Sequence, residues 1–427
     1  MSSLNDASSA FIVAACVPRE SSHASGTLAQ AESILTANPE VATGSVHVAA
    51  ILGDDDAVRR FLRQDCANAT SKGGPYEWDA LTHLCFSRYL RLHAARSDGF
   101  VRAAAALLDA GASANTGWFE QREWESALYG AAGIAHHEPL TRLLLERGAD
   151  PNDGETPYHV IETRDNGALR ALVESGRCIS ETLSTMLLRK ADWHDHEGIA
   201  YLLANGADPN AQSKWRYTAL HQALRRDNDL NSIDLMLDHG ADPTLANDVD
   251  GRSALSIAVR RGRADVLASL VRRRIPVELH GVERLIAACA RGDTDTVRTI
   301  AQNEPELVRQ LIAVGGTLLG EFAATANAEG IGQLLDLGVP ASARYEQGDS
   351  YFGIARHSTA LHVAAWRSWP AAVRVLIDRG APVDVLDGEG RSALQLAVRA
   401  CVEPWWSSRC SPDTVKALLD AGAVRRE

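Results

Sequence analysis

Apolar residues recur with helical spacing in short segments along the whole chain, and each segment ends in a polar turn. Three such segments are "LTRLLLERGADPND" from Leu140, "GIAYLLANGADPNAQ" from Gly198 and "TVKALLDAGA" from Thr414. This spacing places the paired leucines on one face of a helix, and that face is typically buried. The pattern predicts many short amphipathic helices and no long regular strand.

A second kind of segment precedes these helices. It starts with Ser or Thr and is rich in small apolar residues, as in "TALHQALRR" from Thr218, "SALSIAVRR" from Ser253 and "SALQLAVRA" from Ser392. A Ser or Thr at that position can accept hydrogen bonds from the free N–H groups of the first helical turn. The starts at Thr218 and Ser253 are 35 residues apart. The sequence therefore predicts repeated pairs of helices.

The motif T-A-L-H at Thr218 and again at Thr359, with T-P-Y-H at Thr156, resembles the T-P-L-H-x-A signature of the ankyrin repeat. The resemblance covers almost the whole chain, in about twelve copies. It implies an all-α solenoid of helix-turn-helix units, with hairpin loops that we call fingers between repeats and a concave groove beside them. Histidines 159, 221 and 362 are expected to bond neighbouring backbone, and His137 and His196 to occupy the turn between the two helices.

Eight glycines each follow a predicted second helix. The chain turns there with a left-handed backbone conformation, which glycine adopts with less strain than any other residue. They are glycines 111, 148, 176, 206, 240, 338, 380 and 422.

We expect one continuous array over residues 1–427, because a repeat array escapes the size limit of a single compact core. Its predicted parts are an atypical N-terminal capping repeat (1–44), a first block of repeats (45–281), degenerate repeats with a break in curvature (282–341), and C-terminal repeats (342–427) with a capping insertion at 402–411 that holds Trp405 and Trp406.

Charge and cysteine content narrow the classes of partner and compartment. The net charge of −12 makes nucleic acid and anionic membranes unfavourable partners. Seven scattered cysteines without a C-x-x-C pair favour free thiols and a cytoplasmic location. No stretch is apolar enough to span a membrane, and no exposed edge strand or heptad pattern indicates an oligomer, so we expect a monomer.

Aromatic residues are unusually frequent in the predicted fingers, whereas ankyrin cores are aliphatic. Rings turned toward the groove would form a ligand-binding surface. The predicted ligand-binding residues are Trp78, Trp118, Trp124, Tyr129, Trp193, Trp215, Tyr217, Tyr351 and Trp366. The alternative is that these rings pack on one another and stiffen the loops. If they bind a ligand, replacing Trp78 and Trp124 by Ala abolishes binding with little loss of stability.

Several ionisable residues near this surface are not required by the repeat. They are Asp79, His83, Asp192, His194 and Glu283. Carboxylates and imidazoles in an aromatic cleft are the groups that acid–base catalysis uses. Their spacing is poor for zinc, and nucleotide-binding and catalytic motifs are missing, so we expect no metal and no cofactor.

Two functions stay open on the sequence alone. The first is a binding scaffold without catalytic activity that recognises a protein or peptide in the aromatic-lined groove. The second is a small-molecule receptor or an enzyme in the same groove, acting on a sugar-like or other ring-shaped ligand. The resemblance to ankyrin repeats favours the first.

Overall fold

A computed structural model describes residues 2–17, 26–403 and 411–424 of the chain. The described residues divide into two compact units. Unit 1 comprises Met1–Arg226 and Leu235–Ala241, and unit 2 comprises Asp227–Asp234 and Asp242–Glu427. Trp405 and Trp406 of the predicted capping insertion lie outside the described residues, and the predicted single continuous array stays a prediction.

Unit 1 is built from short helices. In chain order they are α1 (Ser2–Ala15), α2 (Ala29–Ala37), α3 (Val46–Ile51), α4 (Asp55–Gln64), α5 (Ala80–Cys85), α6 (Arg88–Leu92), α7 (Ser97–Asp109), α8 (Ala127–Tyr129), α9 (Glu138–Glu146), α10 (Glu155–His159), α11 (Gly167–Glu174), α12 (Ser180–Asp192), α13 (His196–Ala204) and α14 (Ala219–Arg225). A π-helical turn, Gly130–Ile134, directly continues α8.

These helices form antiparallel pairs in which we call the first helix inner and the second outer. Inner helices pack on inner helices of the neighbouring pairs, for example α3 on α5 and α12 on α14, while outer helices pack on outer ones, for example α7 on α9. Each pair buries its apolar stripe against the next pair, so stability is shared between neighbours.

Helix α15 (Leu230–Asp238) contributes residues to both units. The helices of unit 2 are α16 (Ala254–Arg260), α17 (Ala264–Arg272), α18 (Val282–Ala290), α19 (Thr294–Asn303), α20 (Pro305–Ala313), α21 (Gly315–Ala324), α22 (Ala328–Asp336), α23 (Ala360–Trp366), α24 (Pro370–Asp378), α25 (Ala393–Ala400) and α26 (Pro412–Asp420). Inner helices again follow one another, with α21 on α23 and α23 on α25, and α20 packs on α18 as an extra helix.

Two fingers contain short antiparallel strands. In unit 1, β1 (Gly117–Glu120) pairs with β2 (Glu123–Ser126), and Trp118 lies opposite Glu125. In unit 2, β3 (Arg344–Tyr345) pairs with β4 (Ser358–Thr359). These are finger hairpins attached to a helical scaffold.

The helix caps follow the predicted chemistry. The side chains of Thr218, Ser253 and Ser392 each accept a hydrogen bond from the backbone N–H three residues later. In the Thr218 cap, the Nδ1 atom of His221 lies 2.7 Å from the Thr218 hydroxyl. The backbone N–H of Thr359 likewise donates to Nδ1 of His362 at 3.1 Å. The predicted structural role of His221 and His362 is therefore confirmed.

The eight glycines that follow outer helices all adopt positive φ, as predicted. At Gly148, for example, φ is 94°, and its N–H donates to the carbonyl of Leu145 in the turn that ends α9. A side chain is strained in this conformation, and that explains why the same residue type recurs at each of these turns.

The predicted position of His196 is wrong by one residue. His137 caps the N-terminus of α9, and its counterpart in the next-but-one pair is Asp195, which caps α13. The residues before these caps, His136 and His194, both have a φ of 50°. His194 is therefore the turn residue, and His196 is the first residue of α13.

In the described part of the chain, no single helix has the length and apolar composition that a membrane span requires. The bent pair α20 and α21, with an angle of 71° between the two helices, meets those two criteria together.

Candidate functional site

The aromatic residues of the first large finger form a packed cluster in unit 1. Trp78 is 2% exposed. Its ring stacks on Tyr76 at 4.6 Å and on Trp118 at 5.0 Å between centroids, and it contacts Phe86. Two of the predicted ligand-binding residues, Trp78 and Trp118, thus pack on each other.

Tyr129 lies deeper in the same cluster. Its ring is 1% exposed and contacts Phe86 at 5.9 Å and His159 at 5.2 Å. Gly130 allows this close packing, because a Cβ atom there would lie 2.8 Å from the carbonyl oxygen of Cys85. Tyr129 contributes to the floor of the site and is not open to solvent.

His83 and Asp79 have structural partners beside this cluster. Burial lowers the pKa of His83 to about 3, and its Nε2 atom lies 3.1 Å from the carbonyl oxygen of Gly73. His83 is therefore neutral near pH 7 and is a poor proton donor. Asp79 caps α5 by accepting the N–H of Thr82 at 2.8 Å, and it also accepts the hydroxyl of Thr116.

The β1–β2 hairpin presents two different faces. On one face, Phe119 is 64% exposed and its ring meets the half-buried Trp124 edge to face at 4.8 Å. On the other face, Trp118 lies opposite Glu125, and Glu120 lies opposite Glu123. Side chains on a strand alternate between faces, so Glu120 and Glu125 share a side of the hairpin.

Glu125 is a buried carboxylate that faces other carboxylates. It is 8% exposed and belongs to β2, which packs against α10. Burial, together with the charges of Glu155 and Glu120, raises the pKa of Glu125 to about 7. Among the residues that the structure describes, its side chain has no hydrogen bond and no ion pair.

The positive charge of His159 partly offsets these effects on Glu125. Its Nε2 atom lies 3.3 Å from Glu155 and its Nδ1 atom 3.1 Å from Glu162. Burial disfavours the imidazolium, but the two carboxylates outweigh this effect and raise the pKa of His159 to about 8. The expectation that His159 bonds backbone, like the other signature histidines, is therefore wrong, because acidic residues lie on both sides of it.

A row of ion pairs continues from His159 across the next two inner helices. The Arg189 guanidinium binds Glu162 at 3.2 Å and also binds Asp192. Asp192 accepts from Arg226 at 2.8 Å and from Gln222 at 2.5 Å. Asp192, a predicted general base, is thus held in ion pairs with two guanidiniums.

Rings and cations alternate along this row. The guanidinium of Arg189 lies 4.0 Å from the Tyr158 ring centroid, and the ammonium of Lys214 lies 5.0 Å from that of Trp215. The two rings are 5.6 Å apart. Arg225 covers Tyr217 at 4.3 Å. Tyr158, Trp215 and Tyr217 are all partly exposed. This part of unit 1 presents rings and positive charge together.

The segment "KADWHDHEGI", which spans the end of α12 and the start of α13, is mainly structural. Lys190 is completely buried, and its ammonium binds Asp195 at 2.6 Å and the carbonyl oxygen of Thr163 at 2.8 Å. Asp195 also caps α13 through the N–H of Gly198. Trp193 follows α12 and is half-buried, and His194 is the turn residue.

The remaining predicted site residues belong to unit 2. Glu283 forms an ion pair with Arg260 at 2.6 Å. Trp366 is 6% exposed, and its indole N–H donates to the carbonyl of Phe352 at 2.6 Å, so its own finger covers it. Tyr351 meets Phe352 edge to face at 4.8 Å. The predicted residues are thus distributed over two units.

Sequence reasoning missed the acidic and basic residues that connect the site of unit 1, namely Glu120, Glu125, Glu155, Glu162 and Arg189. Charged residues are common in solvent-exposed turns, so their presence near a finger did not indicate a site. The available signal was the alternation of Trp118 and Glu120 with Glu123 and Glu125 across a two-residue turn, since that alternation places all four on one face.

The described residues contain no group of three or more His, Cys, Asp or Glu side chains arranged to hold a metal ion.

The capped helix pairs, the positive-φ glycines and the projecting fingers define a helical repeat protein. Residues 187–281 match the family model described as ankyrin repeats (3 copies), and residues 356–388 match the ankyrin repeat model. These matches support the prediction of an ankyrin repeat protein, and the fold is the predicted all-α fold. Ankyrin repeats generally mediate interactions between proteins.

Two similar proteins bear the same repeat. A segment of 146 residues, 34% of this chain, is 33% identical to the ankyrin repeat protein FPV031 of Fowlpox virus (strain NVSL). That match spans 36% of the viral protein, about a third of its length. The crystal structure of the human ASB11 ankyrin repeat domain is 22% identical, with 56% of this chain and 99% of that domain covered and a TM-score of 0.24.

Proposed function

We propose that the protein is a binding scaffold that recognises a segment of another protein on one surface of unit 1. We call this surface the finger surface; it comprises the β1–β2 hairpin and residues 155–162, 189–192 and 212–226. The observation that carries the proposal is the continuous row of rings and ion pairs that runs from His159 to Arg226.

Composition supports a protein ligand. Phe119, Trp124 and Trp215 are partly or fully exposed aromatic rings, and such rings anchor many protein interfaces. The guanidinium of Arg189 lies 4.0 Å from the ring centroid of Tyr158, which is 5.6 Å from the ring centroid of Trp215. Rings next to preoriented guanidiniums are typical of interface centres, and they need no chemical reaction to serve that purpose.

The state of the predicted acid–base residues also favours binding over catalysis. His83 is buried and neutral, and Asp192 is held in ion pairs with Arg189 and Arg226. A buried neutral imidazole and a carboxylate already bound by two guanidiniums are poorly placed to exchange protons with a substrate.

We further propose that the protein acts as a monomer in the cytoplasm. The six cysteines within the described residues are free thiols, which accords with a reducing compartment.

A random peptide library displayed on phage tests the proposed function. The immobilised full-length protein is expected to enrich peptides that share a motif, and a synthetic copy of the enriched peptide is then titrated by fluorescence anisotropy. Trp215→Ala is expected to weaken its binding roughly tenfold, the effect of removing one interface anchor.

The matched control is Phe61→Ala, which removes a partly exposed ring on the outer helix α4 of the same unit. This change is expected to leave the affinity unaltered. Failure to enrich any peptide motif, or equal losses for Trp215→Ala and Phe61→Ala, would contradict the proposal.

A further inference from the structure

We propose that a carboxylate patch on the finger surface receives the protonated side chain of an arginine or lysine from the protein partner. The patch consists of Glu120, Glu125 and Glu155. This inference rests on the proposed function and names the chemistry of one contact within it.

The first step is the charge balance around the patch. Glu155 shares the single imidazolium of His159 with Glu162, and Glu162 is also bound by Arg189. Glu125 and Glu120 have no cation of their own among the described residues, and one oxygen of Glu120 is buried without a hydrogen bond. The patch therefore carries excess negative charge.

The second step is the cost of the Glu125 position. A carboxylate that is 8% exposed and unpaired is unfavourable, because burial removes hydration without a compensating partner. An apolar side chain at the same hairpin position would avoid this cost, and an uncharged amide would reduce it. A cation supplied by a partner would remove the penalty, and the charged hydrogen bond would be strengthened by the partly desolvated surroundings.

The third step is the geometry of the surroundings. Trp118 lies directly opposite Glu125 in the hairpin, and Glu125 interacts electrostatically with Tyr129 and His159, whose ring centroids are 5.2 Å apart. Aromatic faces next to carboxylates favour the side chain of arginine or lysine. The carboxylates pair with its charged group, and the rings contact both that group and the alkyl chain that carries it. A chelated metal ion is a poorer match, because the described residues contain no group of three or more carboxylate, imidazole or thiol side chains arranged to hold one.

Three small probes test this inference directly. They are the Nα-acetyl, C-methylamide derivatives of arginine, lysine and the uncharged citrulline. Binding is followed through the indole N–H resonance of Trp118 in the full-length, ¹⁵N-labelled protein. Arginine and lysine are expected to give saturable shifts, and citrulline, which has the shape of arginine without the charge, is expected to give none.

Two variants separate the patch from the general acidity of the protein. Glu125→Gln keeps the shape and is expected to weaken arginine binding roughly tenfold, as the loss of one charge-assisted hydrogen bond implies. Glu146→Gln makes the same change in net charge at an exposed position on the outer helix α9 and is expected to change the affinity less than about twofold.

Equal shifts with citrulline and arginine, or equal losses in the two variants, would overturn the inference. Enriched phage peptides that bind the finger surface without dependence on Glu125 would also overturn it while leaving the proposed function intact. Absence of any enriched peptide would instead overturn the proposed function itself.

Discussion

At the scale of single residues, the role of a residue could be predicted where neighbours in the sequence determine it. It could not be predicted where the contacts are to residues distant in the sequence. The capping role of Thr218 and the left-handed turn at Gly148 depend on residues within a few positions, so the sequence contains the whole signal. His159 shares the signature position of His221 but lies beside Glu155 and Glu162. Its charge state therefore depends on its neighbours and not on its motif.

Glu125 is expected to make the stability of the folded protein depend on pH. Its pKa is raised to about 7 in the folded protein, from an ordinary value near 4.5. Between pH 4.5 and pH 7, the folded state therefore keeps a proton on Glu125 that the unfolded state has lost. Stability is therefore expected to fall as the pH rises from about 4.5 to 7. His159, with a pKa raised to about 8 from 6.5, adds a loss in the same direction between pH 6.5 and 8.

Replacing Glu125 by Gln is expected to stabilise unit 1 at pH 8 by about 2–3 kcal/mol and to have little effect at pH 4. Chemical denaturation followed by circular dichroism at both pH values measures the difference. The exposed Glu146→Gln change on the outer helix α9 is the control and is expected to have little effect at either pH. A stabilisation by Glu125→Gln that does not depend on pH would contradict the account.

At the scale of elements, the helix pairs and their boundaries followed from apolar spacing, capping residues and glycines. The orientation of the aromatic side chains in the fingers did not follow from these patterns. The sequence placed Trp78 and Trp124 together as groove-facing rings, because both precede an inner helix. The structure separates them: Trp78 is buried between Tyr76 and Trp118, whereas Trp124 is half-buried on the opposite face of the hairpin from Trp118. The face that a finger ring adopts is decided by strand register, which local patterns leave undetermined.

The two rings are therefore expected to respond differently to truncation. Trp78→Ala removes a fully packed ring and should lower the free energy of unfolding by about 3–5 kcal/mol. Trp124→Ala should cost about 1 kcal/mol, because its ring keeps part of its contact with water. Urea denaturation of the two variants measures both values. Equal small losses would show that Trp78 is not part of the core of unit 1.

At the scale of the whole molecule, the family and the all-α class could be predicted from sequence, because every repeat restates the same pattern. The location of the binding surface could not. The predicted site residues are distributed over unit 1 and unit 2, and the ion pairs that define the finger surface connect residues about thirty positions apart, such as Arg189 to Glu162 and Arg226 to Asp192. Residues in successive repeats come together only when the repeats stack. A single sequence does not show which charged side chains of neighbouring repeats then come into contact.

The central claim is that unit 1 binds a protein segment on its finger surface. Hydrogen–deuterium exchange of the full-length protein, measured with and without the phage-enriched peptide, tests it most directly. The account predicts slower exchange in residues 117–126, 155–162 and 212–226 and unchanged exchange in the outer helices α9, α11 and α13. Protection confined to those outer helices, or to unit 2, would contradict it.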